Sequence, residues 1–323
     1  MIVLWRITTV CNLACGFCAY DRRVVQPRRQ VDADEVERVA TLLGRYQVTS
    51  GEPVMLSWLG GEPLLWPGVL ALSRPLRQQH GLRLSVTTNG TTLRRAGMVE
   101  ALAEAFDEIT VSIDAPDAVH ERLRGWPGGM SQLADGIRRL ARLRDAGAAL
   151  TLRANVVLMQ DTLPSFEALC ARLADWGVEQ ITFNQLGGRD RPEFHRQQAL
   201  APADVDRLRA AMPALVAALK ARGVRLHAQD GYLARLEASA RGQALAVHDC
   251  ESRRPTLFID EHARIAPCSF TVDDFGLPTR ALRSVADVAA LRSRLAAHRR
   301  AAPAAVCGDC PSTQVFSKFG ACA

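Results

Sequence analysis

Cys11, Cys15 and Cys18 lie within one short stretch, TTVCNLACGFCAY, so a single loop can present three thiols to one metal centre. Three thiolates can hold three irons of a 4Fe–4S cluster and leave the fourth iron open, and cysteine thiolates are the usual ligands of such clusters. An open iron means chemistry on a bound molecule, because a cluster that only passes electrons is closed by four ligands. The competing reading is zinc, whose sites come as paired Cys-x-x-Cys or Cys/His arrangements closing to four ligands. No fourth ligand lies nearby in the chain. Further on, Gly60-Gly61-Glu62-Pro63 joins two residues that let backbone approach a ligand closely to a carboxylate able to hold an ammonium group. Thr87-Thr88-Asn89-Gly90 closes on a turn dipeptide. Ser112 is followed by Arg124, whose guanidinium can grip a carboxylate with two parallel hydrogen bonds. Asn155 and Gln185 are polar residues in otherwise apolar runs, costly to bury without a partner.

A second thiol set, Cys250, Cys268, Cys307 and Cys310, lies near the C-terminus. Between the first two, TLFIDEHARIAPC reads as a hairpin that carries both cysteines to one metal, with the CGDC turn closing the site. Four thiolates suit zinc or a fully ligated Fe–S cluster, and both stay open at this level. Cys170, in FEALCARLADWG, reads as a buried core thiol.

The elements that must position these residues alternate. Strand-like runs cover 2–9, 54–59, 82–88, 108–114, 149–158 and 179–185, with helical patterns over 33–46, 67–79, 91–105, 131–146, 164–176 and 202–222. The strands are short, β-branched and apolar, as expected when both faces are covered. The helices carry apolar residues three and four apart. Six β-then-α units favour a parallel α/β sheet with right-handed crossovers. That is too few for an eight-fold barrel, so the sheet is an open partial barrel or a doubly wound layer. Either fold places its sites in loops at the carboxyl ends of the strands, where each motif above falls. The stretch 187–204 reads as a structureless connection over the mouth of the sheet, a substrate lid.

The cysteine spacing, with Phe17 just before the third thiol, and the GGEP tetrapeptide after the second strand resemble the radical SAM enzymes, whose signature is CxxxCxxC. The resemblance implies a partial (β/α)6 barrel with a 4Fe–4S cluster on Cys11, Cys15 and Cys18. It implies that S-adenosyl-L-methionine (SAM) sits on the open iron, is reductively cleaved to a 5′-deoxyadenosyl radical, and so removes hydrogen from a substrate. It further implies that Gly60, Gly61 and Glu62 meet the SAM amino group and that Asn89 lies near SAM. Ser112 and Arg124 then meet the ribose and carboxylate, Asn155 and Gln185 the ribose or adenine edge, and Leu186 the adenine face. The C-terminal cysteines resemble the twitch domain, the shortened form of the SPASM domain, with one auxiliary 4Fe–4S cluster on Cys250, Cys268, Cys307 and Cys310. A full SPASM domain carries seven cysteines and two clusters. Here only Cys322 follows Cys310, and the glycine expected five residues before the second hairpin cysteine is Ala263. Cys322 is a candidate hydrogen-atom donor to a substrate radical. The expected organisation is a core over 1–222, a connecting segment over 223–247 and a twitch-like unit over 248–323.

Composition bounds the rest. The 40 basic and 34 acidic residues give 40 − 34 = +6, short of a nucleic-acid footprint unless gathered on one face. The chain shows no signal-peptide pattern and no 18-residue apolar run, so neither secretion nor a membrane partner is expected. Nine cysteines without a secretion signal point to a reducing, cytoplasmic setting. Arg22, Arg23, Arg28 and Arg29 could meet an acidic peptide or a flavodoxin- or ferredoxin-like electron donor. With no room for a leader-peptide-binding domain, a peptide substrate would be presented by a separate leader-peptide-binding protein. The expected reaction is peptide (RiPP-type) or natural-product modification by oxidation or by carbon–carbon or thioether cross-linking. The alternative is oxidation or epimerisation of a sugar or cyclitol. A non-enzymatic Fe–S electron carrier or a zinc-stabilised binding scaffold is the reading from another class.

Overall fold

The computed structural model describes residues 1–250, 256–316 and 318, so Cys322 lies outside the described residues. Ten strands form one sheet: β1 (Ile2–Thr8), β2 (Met55–Gly60), β3 (Arg83–Thr88), β4 (Glu108–Ser112), β5 (Thr151–Leu158), β6 (Gln180–Gln185), β7 (Arg225–Leu226), β8 (Thr256–Ile259), β9 (Arg264–Ala266) and β10 (Leu277–Pro278). The helices are α1 (Ala33–Ser50), α2 (Val69–His80), α3 (Met98–Ala105), α4 (Ala118–Arg124), α5 (Gly129–Asp145), α6 (Phe166–Asp175), α7 (Pro192–Gln198), α8 (Pro202–Ala221), α9 (Asp230–Ala240), α10 (Val272–Phe275) and α11 (Val285–Ala301).

Strands β1 to β7 pair in chain order and all in parallel. On the other side of β1, β8 adds a further parallel strand, with Ile2 opposite Thr256 and Trp5 opposite Ile259. The antiparallel strands β9 and β10 then follow. The sheet therefore ends at β7 and β10 without closing, which is the partial α/β barrel the resemblance implied. Alternation along the strands sorts the two faces. In β1, Val3, Trp5 and Ile7 are fully buried while Ile2, Leu4 and Arg6 are half-exposed. In β5, Leu152, Ala154, Val156 and Leu158 are buried, whereas Thr151, Arg153, Asn155 and Val157 are half-exposed. Trp5 and Trp58, register partners on β1 and β2, pack with ring centroids 6.0 Å apart.

A polar ribbon crosses the strands on the opposite side. Ser57 meets Ser85 (3.4 Å), Ser85 donates to Glu108 (3.2 Å), and Arg153 grips Glu108 through two 2.7 Å bonds. Arg153 also donates to Gln180, which meets His227 Nε2 at 3.1 Å. A ribbon of paired charge and amides is affordable here because every member finds a partner.

Two features differ from the sequence reading. The segment 223–247 carries β7 and α9 rather than a plain connection; a two-residue strand leaves no periodicity to detect. The 187–204 stretch is not structureless, since Pro192 opens α7 at its first turn, where proline's missing N–H costs nothing. The expected hairpin is present as β8–β9, turned by Asp260, whose carboxylate accepts from the backbone of His262 (2.9 Å) and Arg264 (2.8 Å) and from Arg264 Nε (2.8 Å). At its tip Ala263 has φ 55°, the one left-handed non-glycine among the described residues. It is the position where glycine was expected. Cys170 is a fully buried core thiol on α6, as read. Among the described residues no helix is long and apolar enough to cross a membrane.

Candidate functional site

The loop after β1 is pinned by backbone hydrogen bonds of the chain itself. Thr9 donates to Arg29 O and Val31 to Ile7 O, so the chain leaves and returns beside β1. From β2, Gly61 donates to Thr8 O and Glu62 to Val10 O, both at 2.8 Å. A Cβ on Gly60 would sit 2.5 Å from Thr8 O, and one on Gly61 2.4 Å from Val10 O and 2.9 Å from Cys11 Cβ. Only glycine allows this approach. From the other side, Ala14 donates to Arg124 O at 3.1 Å, and Gly125 (φ +61°) abuts Ala14.

Cys11, Cys15 and Cys18 are free thiols whose charges influence one another, Cys15 buried and the others partly so. Burial raises all three above the ordinary thiol value, Cys15 to about 12. Thiolates here therefore need a cation to form, and loading the site must release protons. Nowhere among the described residues do three His, Cys, Asp or Glu side chains converge closely enough to share one ion. Three thiolates on one loop suit a cluster, which spreads them over separate irons, whereas zinc closes to four ligands.

Glu62 is fully buried, and burial pushes its carboxyl up to about 7 against the hydrogen bonds it receives. It accepts from Asn89 N (2.7 Å), Thr88 Oγ1 (2.8 Å) and Leu64 N (3.1 Å). Three of four lone-pair positions are therefore spent within the chain, so Glu62 first of all ties β3 to the cysteine loop. Asn89 completes that tie by donating to Asn12 (3.0 Å) and towards Cys11 Sγ (3.8 Å).

Arg124 is buried, not a surface residue. It donates bidentately to Asp114 at 2.7 and 3.0 Å and lies 5.4 Å over the Phe17 ring. Two of its five N–H groups go to Asp114, leaving donors for a further carboxylate. Asp114 also accepts from Val157 N (2.9 Å), and its own N–H donates to His120 Nδ1 (3.1 Å). Burial, then Arg124, lowers His120 to about 4, so the ring is neutral. Sequence reading missed Asp114 and His120. The signal was there in α4: Asp117 caps Val119 (2.9 Å) and Gly125 ends the helix, which aims Arg124 back at Asp114.

Ser112 and Asn155 are register partners on β4 and β5. Asn155 Oδ1 accepts from Thr182 (2.9 Å), Asn184 (3.0 Å) and Lys318 Nζ (3.3 Å), so its amide NH2 is what it offers a ligand. Lys318, another residue the sequence did not reveal, also donates to Asn184 at 2.7 Å. It is 4% exposed, and burial, then Arg153, lowers it to about 7. Gln185 turns to Ser239 of α9 (2.9 Å). Leu186 packs with Leu123 and Met159 against Phe17 and Phe194, in the wall of the cysteine loop. Phe194 of α7 lies 6.1 Å from Phe17, so the helix over the mouth rests on that loop. Of the four arginines after the loop, Arg28 is half-buried and donates to Thr9 O and Asp21 O, while Arg22, Arg23 and Arg29 are exposed, Arg23 paired with Asp21 (2.7 Å).

The second thiol set is assembled from separate segments. Cys250, Cys268, Cys307 and Cys310 line one cavity. Val247 donates to Cys307 O and Cys310 to Leu245 O, both at 2.9 Å. Asp309 fixes the turn between the two thiols by accepting from Arg235 and from Leu245 N. Cys268 lies two residues past the end of β9, at the open end of the hairpin where Thr256 pairs with Ile2, whereas the first loop leaves β1 beyond Thr8.

Residues 5–152 match the family model of the Radical SAM superfamily. That segment, a little under half of the chain, is a radical SAM core. Such a core takes SAM and a 4Fe–4S cluster, and the glycines, the three thiols of one loop and the open polar face described above fit both. An AdoMet-dependent heme synthase of Nitratidesulfovibrio vulgaris is 29% identical over 176 residues, 53% of this chain and 45% of that protein. A GTP 3',8-cyclase of Synechococcus sp. is 34% identical over 201 residues, 57% of this chain and 55% of that protein. The chain thus spans about half the length of these curated relatives. Among solved structures, Streptococcus suis SuiB bound to S-adenosylmethionine superposes with TM-score 0.67 at 16% identity, covering 99% of this chain and 72% of that one. The anSMEcpe structure with bound AdoMet gives 0.62 at 18% identity, covering 86% of this chain and 77% of that one. These two share its fold.

Proposed function

We propose that this radical SAM protein cleaves SAM reductively at the Cys11/Cys15/Cys18 loop and removes hydrogen from a substrate held at the polar face of the barrel. When bound, the cluster and SAM supply the electron and the 5′-deoxyadenosyl radical; the chain supplies position and exclusion of solvent. Gly60 and Gly61 leave backbone room for the SAM amino group, and Glu62 and Asn89 hold that backbone against Cys11. Arg124, oriented by Asp114, offers its remaining N–H groups to the SAM carboxylate. Ser112 and the Asn155 amide line the ribose side, with Gln185 and Leu186 towards the adenine. Helix α7, seated on Phe17, shields the loop from water. We assign Cys250, Cys268, Cys307 and Cys310 to one auxiliary 4Fe–4S cluster in a twitch-like C-terminal unit. The observation that carries the reading is the pair of glycines pressed against Thr8, Val10 and Cys11, a contact with no purpose in a plain strand-to-helix turn.

For the substrate we favour a peptide, modified by oxidation or cross-linking. Structures sharing this fold were solved with peptides, SuiB with precursor peptide SuiA and anSMEcpe with the Cp18Cys peptide. A small molecule, such as a sugar or cyclitol undergoing oxidation or epimerisation, is the second reading. It is favoured by the sequence relatives, which are named for heme and GTP chemistry. A flavodoxin- or ferredoxin-like protein would deliver the electron, and a separate leader-binding protein would present a peptide.

The test is anaerobic iron and sulfide analysis with 5′-deoxyadenosine measured from SAM and a strong reductant. About eight irons are expected in the wild type, falling to about four in the Cys11/Cys15/Cys18→Ala variant with loss of deoxyadenosine. Deoxyadenosine formed undiminished by that variant would overturn the assignment.

A further inference from the structure

Helix α11 buries Val288, Leu291, Leu295 and Arg299, a stripe spaced three, four and four residues apart. The first three are the aliphatic residues such a stripe calls for. The fourth is an arginine, 6% exposed. A buried guanidinium is costly unless its N–H groups meet charged or strongly accepting atoms. Those of Arg299 meet the segment that carries the first hairpin cysteine. Nη1 lies 3.0 Å from Cys250 Sγ, Nη2 donates to His248 O, and Asp249 Oδ1 is 3.7 Å away. Arg299 also lines the four-cysteine cavity. A neutral thiol is a weak acceptor and returns little for burying a cation. An iron-bound thiolate returns far more, because the contact becomes a charge-assisted hydrogen bond.

We infer that Arg299 is a positioning residue that donates to the Cys250 thiolate and raises the reduction potential of the cluster held by Cys250, Cys268, Cys307 and Cys310. The inference rests on the auxiliary-cluster assignment above. Reduction adds one electron to the cluster beside a fixed positive charge, so the guanidinium and its N–H···S contact stabilise the reduced form more than the oxidised one. Hydrogen bonds to sulfur and net charge are among the levers that set such potentials. A raised potential suits a cluster that accepts an electron rather than one that delivers it.

The experiment is an anaerobic redox titration followed by electron paramagnetic resonance. The full chain is used in the Cys11/Cys15/Cys18→Ala background, where the C-terminal cluster alone gives signal. Arg299→Met is expected to lower the midpoint potential at unchanged iron content, and Arg299→Lys, which keeps the charge but not the planar fork, to fall between it and the parent. Equal potentials in all three proteins would overturn the inference. Loss of the cluster from both variants, Lys included, would also overturn it, assigning Arg299 to packing alone. A parent background that holds no iron with Arg299 intact would overturn the auxiliary-cluster assignment instead, and is told apart by the iron analysis.

Discussion

The two cysteine regions are built in opposite ways. Cys11, Cys15 and Cys18 share one loop, held by backbone hydrogen bonds from Gly61 and Glu62 and to Arg124 O, and by glycines that admit no side chain. Cys250, Cys268, Cys307 and Cys310 come from a chain segment, a hairpin end and a turn after α11, drawn together by the side chains of Arg235, Asp309 and Arg299. The first site is set by backbone and short sequence distance, the second by tertiary packing. The first should therefore survive damage to the second more readily than the reverse.

The largest expected effect tests that directly. Cys307→Ala with Cys310→Ala should remove about half the iron yet leave deoxyadenosine formation from SAM in place. Loss of both together would show that the first loop depends on the second site. Next comes the one buried ion pair beside the first loop. Asp114→Asn leaves Arg124 buried without its counter-charge and should cost about 3–5 kcal/mol by urea denaturation at neutral pH. A cost under about 1 kcal/mol would mean that water reaches the pair.

Between the two regions lies Lys318. Its pKa falls to about 7 from 10.5, so the unfolded chain binds the extra proton across that window and stability rises with pH there. Its unfavourable contribution is complete below pH 7 and fades as the pH rises towards 10.5. The stability of Lys318→Met relative to wild type should therefore drop by about 2 kcal/mol between pH 7 and 9, read from paired denaturation curves. A pH-independent difference would place the ammonium in contact with solvent or a carboxylate. The smallest effect belongs to Ala263→Gly. Relieving one left-handed alanine while adding unfolded-state freedom should stabilise by no more than about 1 kcal/mol, measured as a small rise in Tm.

What was legible in the sequence follows the same division. The six principal strands, the helices after them and every motif in the loops could be read, because apolar periodicity and contiguous residue spacing are local signals. The hairpin between Cys250 and Cys268 was legible for the same reason. Asp114 as the partner of Arg124, the inward turn of Glu62, Arg299 on an apolar stripe and Lys318 against Asn155 were not. Each is a buried polar group whose meaning lies in what it meets across the fold, and a single chain of letters shows such a residue only as polar. Helix α7 was hidden by its length, since seven residues barely complete two turns.

The pairing of β8 with β1 also bears on how the chain is made. Trp5 must wait for Ile259, so one edge of the first strand stays unpaired until most of the chain has emerged from the ribosome. At 5–20 residues per second that interval is on the order of tens of seconds. Throughout it, a strand carrying Val3, Trp5 and Ile7 presents open amides to any neighbouring nascent chain, a template for misassembly. The strand that seals the free edge of β1 is thus made long after it, and a ribosome stalled before Thr256 would release a chain prone to aggregate.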